Sequence, residues 1–168
     1  MNKENSEQIL LKEFVLIVRD IILSPEFREM KNYKHHVKGT LYDHSVKVAY
    51  LCFRHQKRFG LKTDVNEFVR GAILHDYYLY DLHGGNTKHR LHWFRHPKRA
   101  LEKATEKYPT LTHVQRDMIE RHMFPLTLIP PKTKAGWLVC FYDKVAVLSD
   151  RLGKKSKTDR NEKWLSQK

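Results

Sequence analysis

The chain has 168 residues, a formal net charge of +13, 40% hydrophobic residues and 11% aromatics. Such a composition excludes a disordered polar chain, and the length suits one domain with a core of its own. Seven Gly, six Pro and the lack of alternating apolar runs argue against a sheet and predict an all-α, single-domain bundle of about six to eight helices.

The first helix is expected from about Ser6 to Leu23, stopped by Ser24-Pro25. Lys12, Glu13, Arg19 and Asp20 interrupt its apolar run, so it reads as an amphipathic helix and not as a membrane span. A short helical stretch from Glu26 to Tyr33 and the polar link KHHVKGT follow. The second helix runs from Leu41 to Phe59, with Gly60 at its C-terminal cap. Asp64, with Glu67 three residues on, opens the third. Asp81 to Arg95 is the longest irregular stretch. Pro97 marks the first turn of the next helix, which places His96 at or beside its N-cap. That helix uses Ala100, Leu101 and Ala104 and ends before Pro109. Thr112 to Met123 form a further helix, closed by Pro125. After Pro130-Pro131, the last long helix spans Ala135 to Leu152. The organisation expected is one domain without internal repeats: an N-terminal helical extension over 1–40, a core over 41–148 and a basic tail over 153–168. Cys52 and Cys140 sit on apolar helical stretches without a CxxC partner, so they read as reduced core residues of a cytoplasmic protein.

Six side chains stand where apolar helical stripes turn polar. Val65, Phe68, Val69, Ala72 and Ile73 lead to His75 and Asp76; Val114, Met118 and Ile119 lead to His122. Trp137, Val139 and Cys140 lead to Asp143, with Ala146 and Val147 beyond it, and His44 shares a face with Leu41, Val48 and Cys52. His96 joins them at its helix start. Imidazoles and carboxylates aimed at a core are costly unless something satisfies them, and a divalent metal satisfies several at once. His44, His75, Asp76 and Asp143 would hold one ion. His96 and His122 allow a second, with Asp76 as the bridge and the expected catalytic residue. This nitrogen and oxygen set suits Fe, Mn, Co or Zn better than Ca, with Mg also compatible. The other histidines, His35, His55, His83, His89, His92 and His113, lack the stripe relationship and read as surface residues.

The segments YDHSVKVA, GAILHDYYLYD, RHPKRALE, MIERHMFPL and VCFYDKVAVL, with their ordered H…HD…H…H…D set, resemble the HD-domain phosphohydrolase superfamily over about Leu41 to Leu148. The likeness is strongest to small stand-alone bacterial members. It implies an all-helical fold, with His44, His75, Asp76 and Asp143 matching the shared metal ligands and His96 and His122 the extra histidines of two-metal members. Two positions depart from that pattern. Members often carry a Gly and a Lys shortly after the HD pair, where this chain has Tyr77-Tyr78-Leu79-Tyr80. Met123 stands where some two-metal members have a further His.

The function expected is hydrolysis of a small phosphate ester or nucleotide by metal-activated water, with no Ser, Cys or Lys nucleophile beside a base. Lys98 and Arg99 at a helix start, Lys144 after a ligand, and His36 before the second helix are the expected substrate contacts. Asp81 is a candidate to orient a ligand histidine. The alternative is a nucleotide- or RNA-binding protein of the same fold with little catalysis, supported by the +13 charge. A di-iron oxygenase on a similar scaffold is the third reading, which nothing in the sequence selects. No membrane partner is expected.

Overall fold

Apolar residues recur at three- and four-residue steps from the start of the chain. Leu11, Phe14, Val18, Ile21 and Ile22 are buried along α1, Lys3–Ile22. The structure, a computed structural model, describes residues 3–34, 39–78 and 92–152. Seven α-helices and a single 3-10 turn account for its regular structure, and there is no strand among the described residues. The chain is all-α.

Local chemistry sets the helix starts. Ser24 accepts from the Phe27 amide and Pro25 occupies the first position of α2, Pro25–Glu29. The 3-10 turn Met30–Asn32 follows directly. Thr40 and Asp43 form a reciprocal capping box on α3, Leu41–Phe59, and Gly60 ends that helix at φ +70°. Asp64 accepts from the amides of Asn66 and Glu67 to start α4, Val65–Ile73. Thr112 and Gln115 cap α6, His113–Arg121, and Thr133 caps α7, Lys134–Arg151.

The helix α3 is the hub, packed on α1, α4 and α7, while α6 lies against α4, α7 and α5, His92–Lys107. Phe14, Phe53, Phe68, Ile73 and Met118 fill the space between them. Two expected boundaries and one expected helix face change. The third helix ends at Ile73, so His75 and Asp76 lie on the turn beyond it. The stretch from His92 to Arg95 is the opening turn of α5, so Pro97 is interior and His96 is not an N-cap. Proline at this interior position costs the helix one backbone hydrogen bond and crowds the carbonyl four residues back. Trp137 is about half exposed, and the inward face of α7 runs instead through Gly136, Val139, Cys140, Asp143 and Ala146. His36, Asp81 and the tail over 153–168 lie outside the described residues.

Helix α7 is fastened to α6 by a buried carboxylate. Asp117 accepts from the amides of Lys132 and Thr133, from the Thr133 hydroxyl at 2.7 Å and from Arg121 at 2.9 Å. Asp117→Ala strands those donors in the interior and should cost about 2–4 kcal/mol. Lys103→Ala, which removes an exposed ion pair with Glu106, should cost under about 1 kcal/mol. Denaturant midpoints of the two variants check the difference, and equal midpoints would show that Asp117 anchors nothing.

Candidate metal centre

Two of the histidines are set by the same local device. At the end of α4, His75 Nδ1 lies 2.8 Å from the carbonyl of Ala72, and just past α6, His122 Nδ1 lies 2.8 Å from the carbonyl of Ile119. A carbonyl only accepts, so both Nδ1 atoms carry the proton and donate. A carbonyl has two lone pairs, and at a helix end these two have capacity to accept from an imidazole: that of Ala72 also accepts from a backbone amide. Each ring is thereby fixed with Nε2 turned inward.

The six side chains come together in one buried centre. His44 Nε2 is 3.3 Å from His75 Nε2, and His96 Nε2 is 3.0 Å from His122 Nε2. Asp76 lies between these pairs. Its Oδ2 is 3.8 Å from His44 Nε2 and 3.6 Å from His75 Nε2. Its Oδ1 is 3.4 Å from His96 Nε2 and 3.3 Å from His122 Nε2. Asp143 Oδ1 closes the first pair, 3.1 Å from His44 Nε2 and 4.0 Å from His75 Nε2. Three helices and two helix ends supply the set, with His44 on α3, His96 on α5, Asp143 on α7, and the rest beyond α4 and α6.

The donor chemistry fits a divalent ion. With its Nδ1 protonated, neutral His75 offers only a lone pair at Nε2, and so does neutral His122. Each faces a second ring nitrogen across about a hydrogen-bond length, an arrangement that a shared cation satisfies without a proton on either atom. His44, His75 and Asp143 form one group whose ligand atoms all lie within 4.8 Å of one another, and His75, Asp76 and His122 form another. The buried cluster can hold metal, and no thiolate takes part, which separates it from structural zinc sites.

Burial and charge act against each other here. Burial alone would raise the Asp76 carboxyl, but the imidazoles of His75, His122 and His96 hold it well below the usual carboxylate range. Burial likewise opposes ionisation of Asp143, and His44 with its neighbours overrides it. Desolvation drives His75 down to about 4. Burial also works against a proton on His122, yet Asp76 and Asp143 together keep it above its ordinary value. In the metal-free protein a proton on His122 Nε2 is thus favoured, and a metal would compete with it for the same lone pair.

Three other site candidates lie among the described residues: Lys98, Arg99 and Lys144. Lys98 and Arg99 are exposed in the second turn of α5, away from its free N-terminal amides, so the expected helix-start anion site does not form around them. The Lys144 ammonium is half exposed and donates to the carbonyls of His122 at 2.9 Å and Cys140 at 3.1 Å, 3.7 Å from Asp143 Oδ2. It ties the turn carrying His122 to α7. His113 is exposed, as expected, whereas His55 is half-buried and bonded to Tyr142. The sequence reading missed Lys47, whose ammonium is buried against Asp150. Its signal was a spacing: Lys47 is three residues after His44 and Asp150 seven after Asp143, on the same faces of α3 and α7.

Protonation gives the metal-free centre a stability profile. His75 has a lowered folded value of about 4, so the unfolded chain takes that proton first. Its contribution is complete above about 6.5 and is lost as pH falls towards 4. Asp76 and Asp143, also lowered, add losses at still lower pH. His122 is raised, so its contribution is complete below about 6.5 and is lost as pH rises through its folded value. Thermal unfolding in chelator should therefore peak near neutrality, with His75→Ala flattening the acid limb and His122→Ala the alkaline one. A profile unchanged by both substitutions would contradict these shifts.

No protein-family model, curated protein or solved structure matches this chain. The centre is read from its own chemistry.

Proposed function

We propose that the chain is a divalent-metal-dependent phosphohydrolase of the HD-domain kind, acting on a small phosphate ester or nucleotide. The observation that carries this reading is the position of Asp76, one carboxylate oxygen towards each histidine pair. An ion bound in this centre supplies Lewis acidity and lowers the pKa of water it coordinates. His44, His75 and Asp143 would hold a first ion, His96 and His122 a second, and Asp76 would serve both.

The protein's own contribution is orientation and a fixed protonation pattern. The carbonyls of Ala72 and Ile119 lock two rings before any ligand arrives. Asp76 and Asp143 stay ionised at neutral pH because the surrounding imidazoles favour their charged forms. Covalent catalysis by Cys140 is disfavoured, because burial pushes its thiol up and Lys144 only partly offsets that. Direct attack by water on phosphorus fits this set of groups.

The test is metal analysis of protein purified without chelator, paired with a phosphate-release screen over nucleotides and model esters. The expected result is one or two equivalents of metal together with turnover. Asp76→Ala should abolish release and remove metal, whereas His96→Ala should remove about one equivalent with the fold intact. Metal-free protein that binds RNA with steep salt dependence would favour the binding-protein reading instead. Wild-type hydrolysis with wild-type metal content in Asp76→Ala would overturn the proposal.

A further inference from the structure

The second half of α3 carries a cleft that the metal centre does not use. Leu10 of α1, six α3 residues from between Leu51 and Phe59 inclusive, and Tyr142 of α7 line an open cleft of about 380 Å³, within the range of small-molecule sites. Eleven residues separate His44 from His55 on α3, about 16 Å at the helical rise. The cleft is thus a separate place on the molecule.

Its lining has three parts. Leu10 and Leu51 give an aliphatic floor. His55, Phe59 and Tyr142 give an aromatic wall held in fixed relation: His55 Nδ1 is 3.0 Å from the Tyr142 hydroxyl, and its ring centroid is 4.8 Å from that of Phe59. Arg54, Lys57 and Arg58 form the rim. Glu13 neutralises Lys57 at 2.9 Å. No carboxylate among the described residues pairs with Arg54 or Arg58, and the Arg58 guanidinium lies over the Phe59 ring at 5.1 Å. Phe59 is 65% exposed, so much of its ring reaches solvent beside the Arg58 guanidinium.

We infer that this cleft binds a planar aromatic phosphate of mononucleotide size, with the base against Phe59 and His55 and the phosphate on Arg54 and Arg58. The geometry is specific to a ligand with both halves. A base alone leaves the guanidiniums unused, and a bare phosphate leaves Phe59 in water. Stacking on an aromatic side chain is tolerant of base identity, and the guanidinium fork suits phosphate oxygens. The site is independent of the catalytic reading, since none of its residues belongs to the metal centre.

The probe is AMP, titrated calorimetrically into the full chain held in excess chelator, so that metal-assisted binding is removed. One AMP per chain should bind, and adenosine and inorganic phosphate should each bind at least about tenfold more weakly. Phe59→Ala and the double variant Arg54→Ala/Arg58→Ala alter exposed side chains, so they should fold as the parent does. Each should weaken AMP by about tenfold or more, while Lys103→Ala leaves it unchanged. An oligoadenylate strand run alongside separates the free nucleotide from a nucleic-acid source of the same chemistry. AMP that fails to bind, AMP affinity untouched by both cleft variants, or a strand that binds where AMP does not would each overturn the proposal.

Discussion

A carboxylate with 3% of its surface exposed is the constraint around which this molecule is arranged. Moving Asp76 out of water is affordable only if cationic or proton-donating groups replace its hydration. Four imidazole nitrogens within 3.3–3.8 Å of its oxygens fill that role. Those nitrogens come from four separate parts of the chain. Bringing them to one point requires α3, α5 and the ends of α4 and α6 to meet, which is what the core between Phe53, Phe68, Ile73 and Met118 achieves. The packing and the polar centre are two statements of the same geometry.

Helix ends do much of the positioning. A helix interior offers side chains but no spare backbone acceptors, whereas its last turn leaves carbonyls open. Placing His75 and His122 just past such ends turns a helix-end carbonyl into a tether for the ring. Lys144 adds a second layer, since its ammonium holds the His122 carbonyl and so links the turn after α6 to the helix carrying Asp143. Substitution of Lys144 would therefore loosen the turn that carries His122 without removing any atom of the buried centre.

The all-helical architecture and the convergence of the six polar side chains were legible because amphipathic periodicity reports which face is buried. A His or Asp on that face must then be explained. The spacing rule succeeded at His44 and Asp143, which are true helix positions. At His75 and Asp76 it reached the right residues although the helix had already ended at Ile73, because a tight turn keeps the chain pointed the same way. It failed at Pro97, where proline's preference for first-turn positions outweighed the possibility of one lost bond inside a helix. Trp137 was misread because hydrophobicity alone does not distinguish the two flanks of an apolar helix such as α7. The fixed tautomers depend on where α4 and α6 end, and the Lys47–Asp150 contact on two helices meeting, neither of which apolar periodicity reports.

Gly136 gives α7 the character of a lever. A side chain there would begin 2.5 Å from Asp117 Oδ2 and 3.0 Å from Pro131 Cβ, so the helix rests on its neighbour with no room for a methyl group. Asp143 lies seven residues further along the same rod, about 10 Å from that fulcrum. A tilt of a few degrees at Gly136 would swing the Asp143 carboxylate sideways by a good fraction of an ångström. The reach of the candidate metal centre thus extends to a residue with no side chain at all, whose smallness sets the alignment of the Asp143 carboxylate two turns away.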